Sequence, residues 1–591
     1  MRRLDISHWK YNNDMECLFL FASLLDEMTF SYSIDSYKES ALNVVSLIRE
    51  CISVVKDIKT EVVKKGALKS VIDELRWAID TDPVAKEILA ERQTESFVNE
   101  INDSTPLDKL SQILEILYSN LHFDYLPRLK QRVSNLVKRN KDKLKLEDAS
   151  RLLITQLKNI GYTNEFIASK SKEFFFNPSN VVDSQSVIDD FLNIFDGDQS
   201  SFVVYHRGNR LFNFVQAVMK DMRCDVSNIL DVNSSDKAVM DFSKDFEPNN
   251  NLYVKIPLLS LDAYAARNES VKIIELVSNL LSFYHHKNTL SYSDSCLVKN
   301  EKTGEFSVVE KPIKGILKCK DLRIGSASFF FNKSVRALYM EEDSMERLSR
   351  SLRLHRNAVL SDNAENQFVD MFTAIEVLIP KRADIGSDRI TQIRETLLPY
   401  ICLDYFNKLI DSIGQSIQKW KGKVAYNNML ASIKEGENDI EKLCALLSLD
   451  KYDSERKKLY LDATNDKYLL LRHRISKLNR IMKTPKDVYS FMEKHELRLR
   501  WHIDRIYRTR NVIVHTGFSP VYLETLVENI HAYYDILIKA LIADNSVSNY
   551  TKLDYSYATY RRRYKKYKEY LFSHKNDVLN EANFKMMILN K

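Results

Sequence analysis

The chain has 591 residues, 44% hydrophobic and 28% charged, with 87 basic against 81 acidic residues and a net charge of +6. This length calls for several folding units. The charge balance is too even to mark a nucleic-acid binder by itself, so the placement of charge must decide. Only 12 Gly and 11 Pro occur, which favours long helices over turn-rich sheets, and the seven cysteines form no CxxC pair, which excludes a zinc knuckle or a disulfide framework.

From the N-terminus, the apolar run Cys17 to Leu25 lies between acidic residues and reads as a core helix, not a leader. No stretch reaches the roughly 18 apolar residues of a membrane span, so a soluble protein without membrane partners is expected, and the scattered cysteines suit a reducing cytoplasm. Apolar residues recur at three- and four-residue intervals up to about Leu192, as in Leu107, Leu110, Ile113, Leu114 and Leu117. The first predicted domain is therefore helical, residues 1–195.

A mixed α/β module follows at 196–335. Its predicted strands are Phe202–Tyr205, Leu252–Leu258, Phe306–Val309 and Ser326–Phe331, with a helix from Ala263 to Tyr284 and turns at Gly304, Gly315 and Gly325. Helical periodicity returns over 336–548, where the polar stretch 421–467 reads as an insertion between core helices. Residues 549–591 form a basic, Tyr-rich helix. The expected fold class is thus mainly α, with one α/β module in the middle.

Phosphate-cradling glycine motifs and the H-E-x-x-H zinc motif are absent, and no cofactor is expected. The adjacent His285 and His286 point about 100° apart on a helix and have no partner ligand in sequence, so no metal site is predicted.

The strongest chemical signal is Arg510-Asn511-Val-Ile-Val-His515. Arg3/His8 and Arg350/His355 share the Arg-to-His spacing, but only the third pair has Asn after the Arg and three β-branched residues before the His. Gly517 suits the C-terminal stop of the preceding helix, while Ser519 and Pro520 suit the start of the next. On a helical wheel Asp504, Arg508, Asn511 and His515 fall within about 60° and form a polar face. Leu499, Ile503, Ile506, Ile513 and Val514 form the apolar arc, and Arg510 lies inside it, where a permanent charge needs a partner or an anion.

These residues suit metal-free phosphodiester cleavage. His, with an ordinary pKa of about 6.5, can take a proton from an RNA 2′-hydroxyl and return one to the leaving oxygen. Arg can neutralise the phosphate while Asn orients it. The alternative is that His515 caps the helix and Arg510 pairs with a carboxylate such as Asp504 or Glu528.

The string RNVIVH resembles the R-N-x-x-x-H signature of the HEPN superfamily. The segments Leu354–Ser361 and Phe368–Pro380, with an A-hydrophobic-E-x-L pattern at Ala374 to Leu378, are similar to the paired helices of its Apea-like branch. The resemblance spans about 342–544. It implies a helical bundle that homodimerises around a composite cleft and cleaves RNA, tRNA among the candidates, to a 2′,3′-cyclic phosphate. It also implies a toxin or effector of prokaryotic antiviral defence with an activating or inhibitory protein partner. Arg510, Asn511 and His515 would be catalytic, with Glu376, Asp504 and Arg508 in support. A non-catalytic dimerisation or RNA-binding scaffold is the competing reading, and an unrelated activity in the α/β module a third.

In the tail, Arg561, Arg562, Arg563, Lys565 and Lys566 form the best electrostatic site for an RNA backbone. Tyr557, Tyr560, Tyr564, Tyr567 and Leu571 line one helix face, which is more often a packing stripe than a base-stacking platform.

Overall fold

The structure, a computed structural model, describes residues 4–232, 236–247, 249–319, 321–379, 388–548 and 551–591. Pro380, which ends the segment Phe368–Pro380, and residues 549 and 550, which open the tail, lie outside them. The protein is mainly α-helical with one five-stranded sheet. No described helix is long and apolar enough to cross a membrane.

Two compact units are present: 1–155, 181–188 and 314–591 make the first, and 156–180 with 189–313 make the second. This division departs from the sequence boundaries. The N-terminal helices share a unit with the C-terminal bundle, and the α/β unit ends near Ile313, not near 335.

In the α/β unit, β1 (Ser200–Asn209), β2 (Asp225–Ser227), β3 (Asn251–Ser260), β4 (Tyr292–Asn300) and β5 (Phe306–Val309) form an antiparallel sheet in the order β2-β3-β1-β4-β5. The helix Ala263–Tyr284 starts from an Asp262 cap whose carboxylate accepts from the Ala265 amide, as such caps do. Its Ala266, Ile274 and Val277 pack with Val204, Val254, Ile256 and Cys296 of the sheet. Three strands and this helix match the sequence reading; β2 and β4 were not foreseen.

The predicted strand Ser326–Phe331 is instead part of a helix, Ile324–Ala337. A run such as Phe329-Phe330-Phe331 carries no alternation, so periodicity cannot separate strand from helix there. It belongs to the helical unit, which has no strand among the described residues to pair with.

The C-terminal helices of the helical unit share one large core. The residues 421–467, expected as an insertion, form helices Lys423–Ala431, Asp439–Ser448 and Asp453–Asn465. Their Tyr426, Leu430, Leu443, Cys444, Leu447 and Leu459 belong to the same core as Phe368, Leu397 and Leu537. The charged background hides an i, i+3/i+4 apolar pattern that buries them.

The motif helix runs over 32 residues, Pro485–Thr516. Thr484 caps it by accepting from the Asp487 amide, Pro485 occupies its first turn, and Gly517 stops it in the left-handed region at φ 68°. The next helix, Leu523–Ser548, starts later than Ser519 and Pro520 suggest. The Ser519 hydroxyl is committed elsewhere, donating to the Glu365 carboxylate at 2.5 Å.

Candidate active site

The three residues of the signature lie in the last two turns of the motif helix. Ile513 faces the core, and its carbonyl accepts from the Gly517 amide at 2.9 Å, closing the helix just after His515. His515 is exposed, and no described residue hydrogen-bonds its ring. Arg510 and Asn511 are half-buried; the Arg510 Nη1 donates to the Asn511 Oδ1 at 3.1 Å. The Arg510 guanidinium also lies over the Phe372 ring at 5.8 Å, and its buried Nε has no hydrogen-bond partner among the described residues.

Neighbouring arginines on the same helix are treated differently. Arg505 is gripped by Glu50 at 3.0 Å and by Glu74 at 2.5 Å, and Arg508 donates to Glu50 at 2.9 Å and to Ser70 at 2.8 Å. Burial by itself would raise Glu50, but Arg505 and Arg508 outweigh it and bring its carboxyl down to about 2. Glu50 lies on the helix Val44–Lys59; Glu74 and Ser70 lie on Leu68–Thr81. The predicted polar face of the motif helix is therefore covered at Arg508, which is only 4% exposed.

The supporting residues need correction. Arg508 is a buried ion-pair partner of the N-terminal helices and offers no face to RNA. Asp504 is engaged by Arg394 at 2.8 and 3.0 Å. Glu376, read as an orienting group for Arg510, is paired with Arg389 at 3.2 Å. Glu528, the other carboxylate considered for Arg510, holds Lys38 at 2.5 Å and Lys318 at 3.4 Å. All these partners come from other helices or loops, so the wheel of one helix could not reveal them. Phe372, under Arg510, was missed for the same reason.

The apolar arc holds at Leu499, Ile503, Ile506 and Ile513, all buried, but Val514 is half exposed. Phe518 and Val521, in the segment that follows the helix, are also exposed.

The basic tail forms the helix Leu553–Ser573. Tyr557, Tyr564, Tyr567 and Leu571 are buried, and Tyr560 stacks on Tyr400 with ring centroids 4.0 Å apart, so the aromatic stripe is a packing face. Arg562, Arg563, Lys565 and Lys566 are exposed on the other side and Arg561 is half-buried. The Tyr564 hydroxyl donates to Glu496 at 2.6 Å. That contact lies 14 residues before Arg510, roughly 20 Å along the helix axis at the standard rise. The tail charges and the signature are thus separate surfaces.

In the α/β unit, the His206 Nε2 and the Ser270 Oγ are 2.8 Å apart. Both residues are fully buried, and burial followed by the Arg267 charge lowers His206 to about 3. This is a core hydrogen bond, out of reach of a substrate. Among the described residues, one group has donor atoms close enough to hold a metal ion: His355, His531 and Asp535. Sequence reading missed it, although His531 and Asp535 stand at the i, i+4 spacing that aligns two side chains on one helix face.

No protein-family model, curated protein or solved structure matches the chain.

Proposed function

We propose that the chain is a metal-independent endoribonuclease of the HEPN type that uses Arg510, Asn511 and His515. We further propose that it acts in the cytoplasm as a toxin or effector in prokaryotic antiviral defence, and that a protein partner activates or inhibits it. The observation that carries this reading is the contrast along one helix. Arg505 and Arg508 are neutralised by carboxylates, whereas Arg510 has no carboxylate partner among the described residues. The carboxylates considered for it are occupied by other cations. A half-buried guanidinium with spare donors, on the same helix as an exposed imidazole, suits an anion such as a phosphodiester.

In the proposed reaction the His515 imidazole takes the 2′-hydroxyl proton, and the 2′ oxygen attacks phosphorus. The bond to the 5′ oxygen breaks, a protonated His returns the proton, and a 2′,3′-cyclic phosphate and a 5′-hydroxyl result. Arg510 neutralises the non-bridging oxygens, with Asn511 holding its Nη1. Arg510 and His515 are about 140° apart around the helix, so a homodimer that presents two copies of the signature to one cleft is part of the proposal. The exposed Val514, Phe518 and Val521 offer apolar surface for such a contact.

The second reading, a non-catalytic RNA-binding or dimerisation scaffold, draws on the absence of a hydrogen bond between Arg510 and His515 within one chain. Mapping RNA ends in cells expressing the wild type or His515→Ala separates the two. New 2′,3′-cyclic-phosphate ends in the wild type alone are expected, and identical end profiles would favour the scaffold.

A further inference from the structure

The helices Glu342–Leu360 and Leu523–Ser548 bring three ligand-type side chains together outside the Arg510–His515 signature. The Nε2 atoms of His355 and His531 face each other at 3.1 Å. The Asp535 Oδ1 is 3.8 Å from the His531 Nε2, and all three donor atoms lie within 4.8 Å of one another. An ion about 2.0–2.2 Å from each donor in tetrahedral geometry would set neighbouring donors roughly 3.3–3.6 Å apart. The two imidazoles are near that spacing, and a small rotation of the half-exposed carboxylate closes the third side.

The rings are held from behind. His355 stacks on Tyr534 with centroids 5.0 Å apart and planes 11° from parallel. The Ile316 backbone interacts with His531 from the side of the neighbouring segment. Ile316 is brought there by Gly315, whose backbone packs so closely on this helix that a Cβ would sit 3.1 Å from the Glu524 carbonyl oxygen. Burial lowers both imidazoles, and for His355 the charge of His531 adds to it, so both favour the neutral, ligating form. Near them, Lys539 holds the Asp535 Oδ2 at 3.0 Å from an exposed position, leaving Oδ1 towards the histidines.

We propose that His355, His531 and Asp535 bind one borderline divalent transition-metal ion of the Zn2+ class, tying the helix Glu342–Leu360 to the helix Leu523–Ser548. Two imidazoles and one carboxylate match that class better than Mg2+ or Ca2+, which prefer all-oxygen sites. With three protein ligands the ion keeps an open position for water.

The test uses the full chain, stripped with EDTA and freed of chelator, then titrated with ZnCl2 by calorimetry and with CoCl2 by visible absorption. One equivalent per chain is expected to bind, with a Tm that rises with the logarithm of free Zn2+. Asp535→Asn, at a partly exposed position, and His355→Gln should each weaken binding by more than the roughly 10- to 100-fold that loss of an outer contact costs. His286→Gln, at an exposed histidine in the other unit, should leave binding unchanged. Absence of stoichiometric binding, or equal binding by wild type and Asp535→Asn, would overturn the site and leave an ordinary hydrogen bond between two neutral imidazoles.

Discussion

Arg508, two residues before Arg510, donates to the Glu50 carboxylate at 2.9 Å and thereby fastens the signature end of the motif helix to the helix Val44–Lys59. Glu50 also accepts from Arg505, so one buried carboxylate serves two guanidiniums, with Glu74 completing the charge balance. The N-terminal helices are therefore ion-paired to the helix that carries the signature.

Removing Glu50 should be costly. Glu50→Ala leaves Arg508 buried without a carboxylate and is expected to lower the unfolding free energy by about 3–5 kcal/mol in urea titration. A loss below about 1 kcal/mol, the range of solvent-exposed pairs, would mean that water reaches the cluster.

The same cluster sets an acid limit. The Glu50 carboxyl lies at about 2 against an ordinary 4.5, so its stabilising contribution is complete above about 4.5 and is lost as pH falls towards 2. Glu74 is raised by burial, helped by the Glu50 charge; its contribution has the opposite sign and is lost as pH rises through its folded-state value. Loss of the Glu50 contribution should lower Tm between about pH 4.5 and pH 2. Glu50→Gln should show a shallower acid limb than wild type, and parallel limbs would remove Glu50 from the account.

His515→Ala should abolish RNA cleavage while changing stability by no more than about 0.5 kcal/mol, because the side chain is exposed. Arg510→Ala should also abolish cleavage with the fold retained by circular dichroism. A folded variant of either kind with wild-type cleavage would end the catalytic assignment.

Cleavage is expected to continue in excess EDTA, since the proposed proton transfers use His515 and the charge stabilisation uses Arg510. Even if the His355 site loses its ion under these conditions, assays well below the Tm should keep their rate. Full inhibition, reversed by Mg2+ or Mn2+, would point to a different cleavage chemistry.

Changing Arg561, Arg562, Arg563, Lys565 and Lys566 together to Gln should weaken RNA binding and flatten its salt dependence. Each lost phosphate contact lowers the log–log slope by about 0.7 for single strands. If affinity and slope are both unchanged, the exposed tail charges are only a solvated helix face. The RNA would then have to follow another surface, and the buried Arg508 does not provide it.

What the sequence determined by itself was local. The C-terminal stop at Gly517, the helix Ala263–Tyr284, the strands β1, β3 and β5 and the packing stripe of the tail follow from residue propensity and a 3.6- or 2-residue period, and each is in place. The RNVIVH string could be found because its spacing is fixed within one helix. Tertiary structure decided the partners. Glu50 meets Arg508 from 458 residues away, and His355 meets His531 from 176. A helical wheel orders residues around one axis but cannot say which distant helix covers a face. Hence it left Arg508 on a polar surface that the fold buries, and it gave no hint that His355, which shares the Arg-to-His spacing, would face a second histidine.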